Sequence, residues 1–210
     1  MVPFVITENV RAFWDTVSNR SDWIQYILPK RTDEEFEQEG RLQTKAILSL
    51  FPLHGGTVID YGCGIGRISK YMSQHVDRMI GLDICEAFLE KARERDPSSE
   101  YILSDVFSEE NVADFIYSIS VMQHNTPANT RKAMASIFRM LKPGGTCLIA
   151  FAHGPVYTEG KFIHKFSERE VRYLASGFSD LIIIKSNLVR YGGYEIPDNQ
   201  TNELILVAKK

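Results

Sequence analysis

From Thr57 onward, short apolar runs alternate with stretches in which apolar residues recur every three or four positions. Such runs, bounded by turn residues, read as strands buried on both faces, and the stretches between them as covering helices. Strands are expected over 57–61, 78–83, 100–104, 114–119, 145–151, 180–190 and 203–209. Before Thr57 the pattern is helical. Thr32 and Glu35 have the spacing of a capping box, and Phe36, Gln43, Ile47 and Leu50 fall near one face before Pro52 and Gly55-Gly56 end the segment. Thr126 followed by Pro127 starts a helix carried by Met134, Ile137, Phe138 and Leu141 as far as Lys142-Pro143-Gly144-Gly145. Ser167 and Glu170 open another that stops at Gly177. Only about a dozen residues without helical signal separate the last two strands, too few for a helical crossover, so these are expected to be antiparallel neighbours.

With 210 residues, 44% hydrophobic and 24% charged, the chain suits one α/β domain. Its expected parts are an N-terminal helical lid or cap over 1–50 and a core over 57–210. A net charge of −3 and scattered Lys and Arg argue against a nucleic-acid partner. No apolar run approaches the roughly 20 residues of a membrane span, and the N-terminus lacks the marks of a signal peptide, so a cytoplasmic protein with no membrane partner is expected. Cys63, Cys85 and Cys147 cannot pair evenly and lack metal-ligand spacing, which predicts free thiols and no metal.

The candidate chemistry begins at Val58-Ile59-Asp60-Tyr61-Gly62-Cys63-Gly64-Ile65-Gly66-Arg67, a buried strand running into alternating glycines and then a helix. Glycines there let the backbone turn sharply and lie against a ligand, and the following helix offers free N–H groups. The spacing lacks the third-glycine offset of the dinucleotide fingerprint, which argues against NAD. Asp83 ends the next strand, in the same crevice, where an acid accepts hydrogen bonds from a ribose or merely caps a helix. Asp105-Val106 ends the third strand, where a carboxylate and a backbone N–H suit the edge of adenine. The fourth strand leads to Val121-Met122-Gln123-His124-Asn125, polar groups that would face a reacting atom.

In combination these motifs resemble the class I S-adenosylmethionine-dependent methyltransferases over about residues 40 to 210. Asp60 to Arg67 corresponds to the family's first motif, Gly81-Leu82-Asp83-Ile84 to its ribose loop and Ser104-Asp105-Val106 to its adenine loop. Leu141 to Gly145 is similar to the turn before its fifth strand, and Glu203 to Ala208 to its antiparallel seventh strand. The resemblance implies a Rossmann-like, doubly wound, seven-stranded, mostly parallel sheet with an antiparallel last strand. S-adenosylmethionine would lie across its carboxyl edge, leaving as S-adenosylhomocysteine. Gly62 and Gly64 would face the methionine end, Asp60 would hold the turn or the amino group, and the Ser118 backbone would meet that amino group. Asp83 would bind the ribose, Ile84 would pack on adenine, and Asp105 and Val106 would bond its edge. Arg67, and Arg41 on the incoming helix, would reach the carboxylate.

Methyl transfer from a sulfonium requires mainly alignment and exclusion of water. For a hydroxyl acceptor His124 is the candidate base, its alternative being a histidine that orders the loop; His153 and His164 are weaker candidates, and His54 and His75 look structural or exposed. Phe13, Trp14, Trp23, Tyr26 and Phe36 form either a lid or a packing face, and 152–164 has the composition of a binding loop. A small-molecule methyl acceptor is expected. The rivals are a methyltransferase of RNA or protein, a cofactor-binding regulator and, third, a nicotinamide dehydrogenase.

Overall fold

The computed structural model describes residues 10–27, 32–154, 164–186 and 203–210. Three helices lead in: α1 (Val10–Ser18), α2 (Ile24–Ile27) and α3 (Asp33–Leu50). Then follow β1 (Thr57–Tyr61), α4 (Ser69–Met72), β2 (Arg78–Asp83), α5 (Glu86–Arg95), β3 (Glu100–Leu103) and β4 (Ala113–Ser118). The remainder is α6 (Pro127–Met140), β5 (Leu141–Ala152), α7 (Glu168–Leu174), β6 (Ser179–Ser186) and β7 (Glu203–Lys209). The seven strands make one sheet in the order β3-β2-β1-β4-β5-β7-β6. Strands β1 to β5 are parallel, and β7 runs antiparallel between β5 and β6. This is the predicted architecture. The expected strand over 180–190 is seen to Ser186, and its last four positions lie outside the described residues.

Side-chain alternation along the strands divides the core. Ile59, Ile116, Cys147, Ile149, Phe151, Leu204 and Leu206 face α6 and α7 on one side. Val58, Phe115, Tyr117, Leu148, Ala150 and Ile205 face α3 and α4 on the other. Both capping boxes form: Thr32 and Ser167 each accept from the N3 backbone, and Glu35 and Glu170 reach back. Thr126 caps α6 with Pro127 at its first turn.

Three details depart from the sequence expectation. Leu50 is 46% exposed, because the stripe that α3 buries is Phe36, Gly40, Gln43, Thr44 and Ile47. β5 begins at Leu141, paired with Ala113, and its register shifts over the Lys142-Pro143-Gly144-Gly145 bend before Thr146 resumes pairing with Phe115. The helix after the glycine turn starts at Ser69, since Gly66 at φ 71° keeps the chain out of the right-handed helical region. Among the described residues the β3–β4 connection has no helix, and no helix is long and apolar enough to cross a membrane.

Candidate active site

Parallel strands β1 and β2 end on one edge, and β1 hands the chain directly to the glycine turn. The Gly62 and Cys63 N–H groups both donate to the Leu82 carbonyl, at 2.7 and 3.0 Å, which hooks the turn onto the end of β2. Gly62 has φ 84°, and a Cβ there would come within 2.3 Å of Val121 Cγ2. Only glycine therefore lets the turn lie against the segment after β4. Ser120 in that segment, a residue with a Cβ, holds φ 62°, a strained conformation of the kind that gathers at functional sites.

Between the turn, the ends of β2 and β4, α1 and α6 lies a cavity of about 410 Å³. Of the site residues expected from sequence, Asp60, Gly62, Gly64, Arg67, Asp83, Ile84, Asp105 and His124 all line it. Asp83 accepts from the Gly64 N–H at 2.8 Å with one carboxylate oxygen and from the Cys85 N–H at 3.0 Å with the other. These bonds favour the ionised form but do not cancel burial, which leaves Asp83 raised above the ordinary carboxylate range. Each oxygen retains a further acceptor position. Asp60 is more enclosed: Ser69 and Tyr117 hydroxyls donate to its Oδ2 at 2.6 and 3.0 Å, and burial raises it to about 6. Its contacts are those of a group that holds the turn against α4 and β4. The Cys63 thiol is raised by burial and stays protonated; Cys85 and Cys147 are likewise buried and free.

Arg67 is 9% exposed, yet its guanidinium forms no ion pair among the described residues. It donates to the Gln43 amide oxygen and lies 5.6 Å over the Phe36 ring. Burial lowers its pKa, but an arginine remains charged. At the opposite end Asp105 is 63% exposed at its side chain and paired with Arg11 of α1. His124, in a 3₁₀ turn after β4, meets the Trp14 ring edge-on at a centroid distance of 5.4 Å.

Three expected residues lie off the cavity. Arg41 projects over Tyr71, at 5.3 Å from the ring, into a separate groove with Thr44, Lys45, Leu48, Gln74 and His75. The Val106 side chain is exposed and its N–H donates to the Leu103 carbonyl at 3.1 Å. Ser118 is fully buried, its hydroxyl donating to the Tyr61 carbonyl at 2.8 Å, while Ile119 and Ser120 beside it reach the cavity. Of the weaker base candidates, the ring of His153 bonds the Phe166 carbonyl at 2.8 Å, and His164 lies 3.8 Å from Glu170. Residues 155–163 of the expected binding loop lie outside the described residues.

The cavity also gathers Trp14 and Asn125, and with them Arg11, Asn129, Lys132 and Ser136, which the sequence reading passed over. Asn129, Lys132 and Ser136 share one face of α6, and polar residues at that spacing read as a solvated surface until the helix is docked. All five N-terminal aromatics join one cluster with Cys85 and Phe88, and Trp14, Tyr26 and Phe36 line the cavity as well. They serve both as packing face and as cavity wall.

A seven-stranded sheet with an antiparallel strand between the fifth and sixth, and a glycine turn and acids around a cavity at its carboxyl edge, define the class I S-adenosylmethionine-dependent methyltransferase fold. Residues 59–149 match the family described as "Methyltransferase domain". Malonyl-[acyl-carrier protein] O-methyltransferase of Salmonella typhimurium is 30% identical over 128 residues, 58% of this chain and 49% of that protein. Phosphoethanolamine N-methyltransferase 1 of Caenorhabditis elegans is 27% identical over 143 residues, 65% of this chain and 30% of that one. The chain thus spans about half the length, or less, of these curated relatives. Among solved structures, Haemonchus contortus phosphoethanolamine N-methyltransferase 1, in complex with phosphoethanolamine and S-adenosylhomocysteine, superposes with TM-score 0.72 at 19% identity, over all of this chain and 50% of that one.

Proposed function

We propose that this protein transfers a methyl group from S-adenosylmethionine to the oxygen or nitrogen of a small-molecule acceptor. The observation that carries the reading is the pairing of Asp83 with the Gly64 N–H across one wall of the cavity, which fixes a carboxylate and a glycine cradle to a single ligand. Two further observations fit that ligand. No atom lies within 4 Å of the position a Cβ on Gly64 would take, so the backbone there is open to the cavity. Arg67 presents a buried positive charge at the same wall. The names of the relatives describe methyl transfer to phosphoethanolamine, a small molecule, and to malonyl-[acyl-carrier protein], a small group on a carrier protein, and the first of these supports a small acceptor.

In this reading Asp83 takes the ribose hydroxyls, Ile84 packs on the adenine and Asp105 meets its edge. Gly62 and Gly64 lie along the methionine end, and Arg67 takes the carboxylate. When bound, the cofactor supplies a methyl group on a sulfonium, a leaving group that needs no protonation. The protein's own contribution is alignment of the acceptor and exclusion of water. His124 removes the proton of an acceptor hydroxyl. Trp14 and Arg11 of α1 close the cavity from the N-terminal side, which supports a lid role for α1 on a single domain.

Calorimetric titration with S-adenosylhomocysteine, followed by a screen of small phenols, amines and acids with methyl-labelled cofactor, tests the proposal. Binding with label transfer to one acceptor class is the expected result. Absence of binding would refute the cofactor site, and binding without transfer to any acceptor would point to a regulator instead.

A further inference from the structure

A buried guanidinium without a carboxylate costs desolvation that nothing repays. Arg67 is in that position, and α3 surrounds it with contacts that hold its place without neutralising it. Gln43, 2% exposed, accepts from Arg67 with its amide oxygen and donates through Nε2 to Glu39 Oε1 at 3.2 Å. The two partners fix the amide's orientation, since a guanidinium only donates and a carboxylate only accepts. Phe36 lies under the guanidinium, and the Arg67 carbonyl would be 2.5 Å from a Cβ on Gly40, so α3 has no room to shift toward it. The other nearby acids are engaged elsewhere: Glu37 by Lys70, Tyr71 and Arg95, and Asp60, whose charge also acts on Arg67, by the hydroxyls of Ser69 and Tyr117. Glu39 is therefore one amide away from Arg67 and kept there. A glutamate at 43 would have the same shape and would pair with Arg67 directly.

Resting on the adenosyl reading of the cavity, we infer that Gln43 is a positioning and specificity residue. Its neutral amide aims Arg67 while keeping any carboxylate out of contact with it, so the site takes adenosyl ligands that bring a carboxylate and discriminates against those that lack one. Glu39 and Asp60 act on the guanidinium only from a distance, and the ligand supplies the carboxylate that touches it.

The test is an exchange of acid and amide, Glu39→Gln with Gln43→Glu, which leaves composition and net charge unchanged and moves the carboxylate into contact with Arg67. Titrations use S-adenosylhomocysteine and its decarboxylated analogue, alongside a thermal melt of each protein. Wild type is expected to prefer S-adenosylhomocysteine by about ten- to a hundredfold, the worth of a charge-assisted hydrogen-bond pair. In the exchanged protein the preference collapses to about threefold or less, through loss of S-adenosylhomocysteine affinity alone, because Arg67 already has its anion. The melting temperature does not fall. Gln43→Glu alone carries the same test should the exchanged chain not fold, and Gln43→Met, which removes the aiming oxygen without adding charge, should lower S-adenosylhomocysteine affinity less than Gln43→Glu does and leave the decarboxylated analogue unaffected. Full preference in the exchanged protein, or equal weakening of both ligands, would overturn the inference while leaving the adenosyl site standing. Wild type that binds both ligands equally would remove the Arg67 contact and the inference with it. Wild type that binds neither would refute the site itself.

Discussion

Asp60 makes a pH dependence of stability whose sign follows from its burial and whose size is a few kcal/mol. Its carboxyl is 3% exposed, and burial raises its pKa from the ordinary 3.8 to about 6, although the hydroxyls of Ser69 and Tyr117 and the charge of Arg67 pull the other way. Between these values the native state holds a proton that the unfolded chain has released, so stability falls as pH rises across the interval. At about 1.4 kcal/mol per pKa unit, ionising Asp60 in place costs the fold about 3 kcal/mol by neutral pH. Asp60→Asn keeps an acceptor oxygen for both hydroxyls and removes the titration. In urea unfolding from pH 4 to 8, the variant-minus-wild-type stability should rise by about 3 kcal/mol up to roughly pH 7 and then stay level. In thermal melts the same rise is about 6–12 °C for a chain of this size. A constant offset from altered hydrogen bonding does not matter, because the slope is the readout. A difference that is flat over pH 4 to 7, or that falls with pH, would refute the account of Asp60 as a buried carboxyl whose desolvation outweighs its partners.

Asp83→Ala should weaken S-adenosylhomocysteine binding about tenfold or more by calorimetry, and wild-type affinity in the variant would remove the ribose assignment. It should also lower stability, since the Gly64 and Cys85 N–H groups lose their acceptor. His124→Ala is expected to keep cofactor affinity and reduce turnover with the true acceptor; equal turnover would take it out of the mechanism. Gly62→Ala should destabilise by about 1–3 kcal/mol, because it combines an unfavourable φ with a clash at Val121, and an unchanged denaturation midpoint would contradict that packing.

The strands and capped helices were legible because their signals are local. The apolar runs before Gly62 and in β4 and β5 reflect burial on both faces, and Thr32, Thr126 and Ser167 announce helix starts through their own backbone bonds. What stayed hidden depends on rotation and docking. Arg41 and Gln43 sit two positions apart on α3, about 200° around the helix, so one faces the outer groove and the other meets Arg67. Nothing local marks Arg67 as buried, because its burial is made by Phe36, Gly40 and Gln43, some thirty residues earlier in the chain. The polar face of α6 has the same character: Asn129, Lys132 and Ser136 become cavity wall only once the helix packs beside Tyr61 and Asp105.

The two ends of the cavity are closed by different physics, and the difference decides which one gives way. At the Arg67 end α3 is locked by a buried amide, an aromatic ring and the close approach at Gly40, contacts that cannot be broken singly without leaving polar groups unsatisfied. At the Asp105 end, where the β3–β4 connection supplies no helix among the described residues, the polar closing contact is the Arg11–Asp105 pair, with side chains 37% and 63% exposed, beside the Trp14 ring packed against Phe88 and His124. A pair so open to water is worth at most about 1 kcal/mol and is screened further by salt. Parting it costs little, because both charges are already largely hydrated, whereas lifting α3 would expose Phe36 and Ile47 as well as the buried charge. Swinging the Arg11 side chain off Asp105 is therefore the low-energy way to widen the cavity, while Trp14 and Val17 keep α1 packed. On the proposed reading of the site, the same asymmetry would make the Arg67 end, and not the Asp105 end, the rigid reference for an acceptor beside His124.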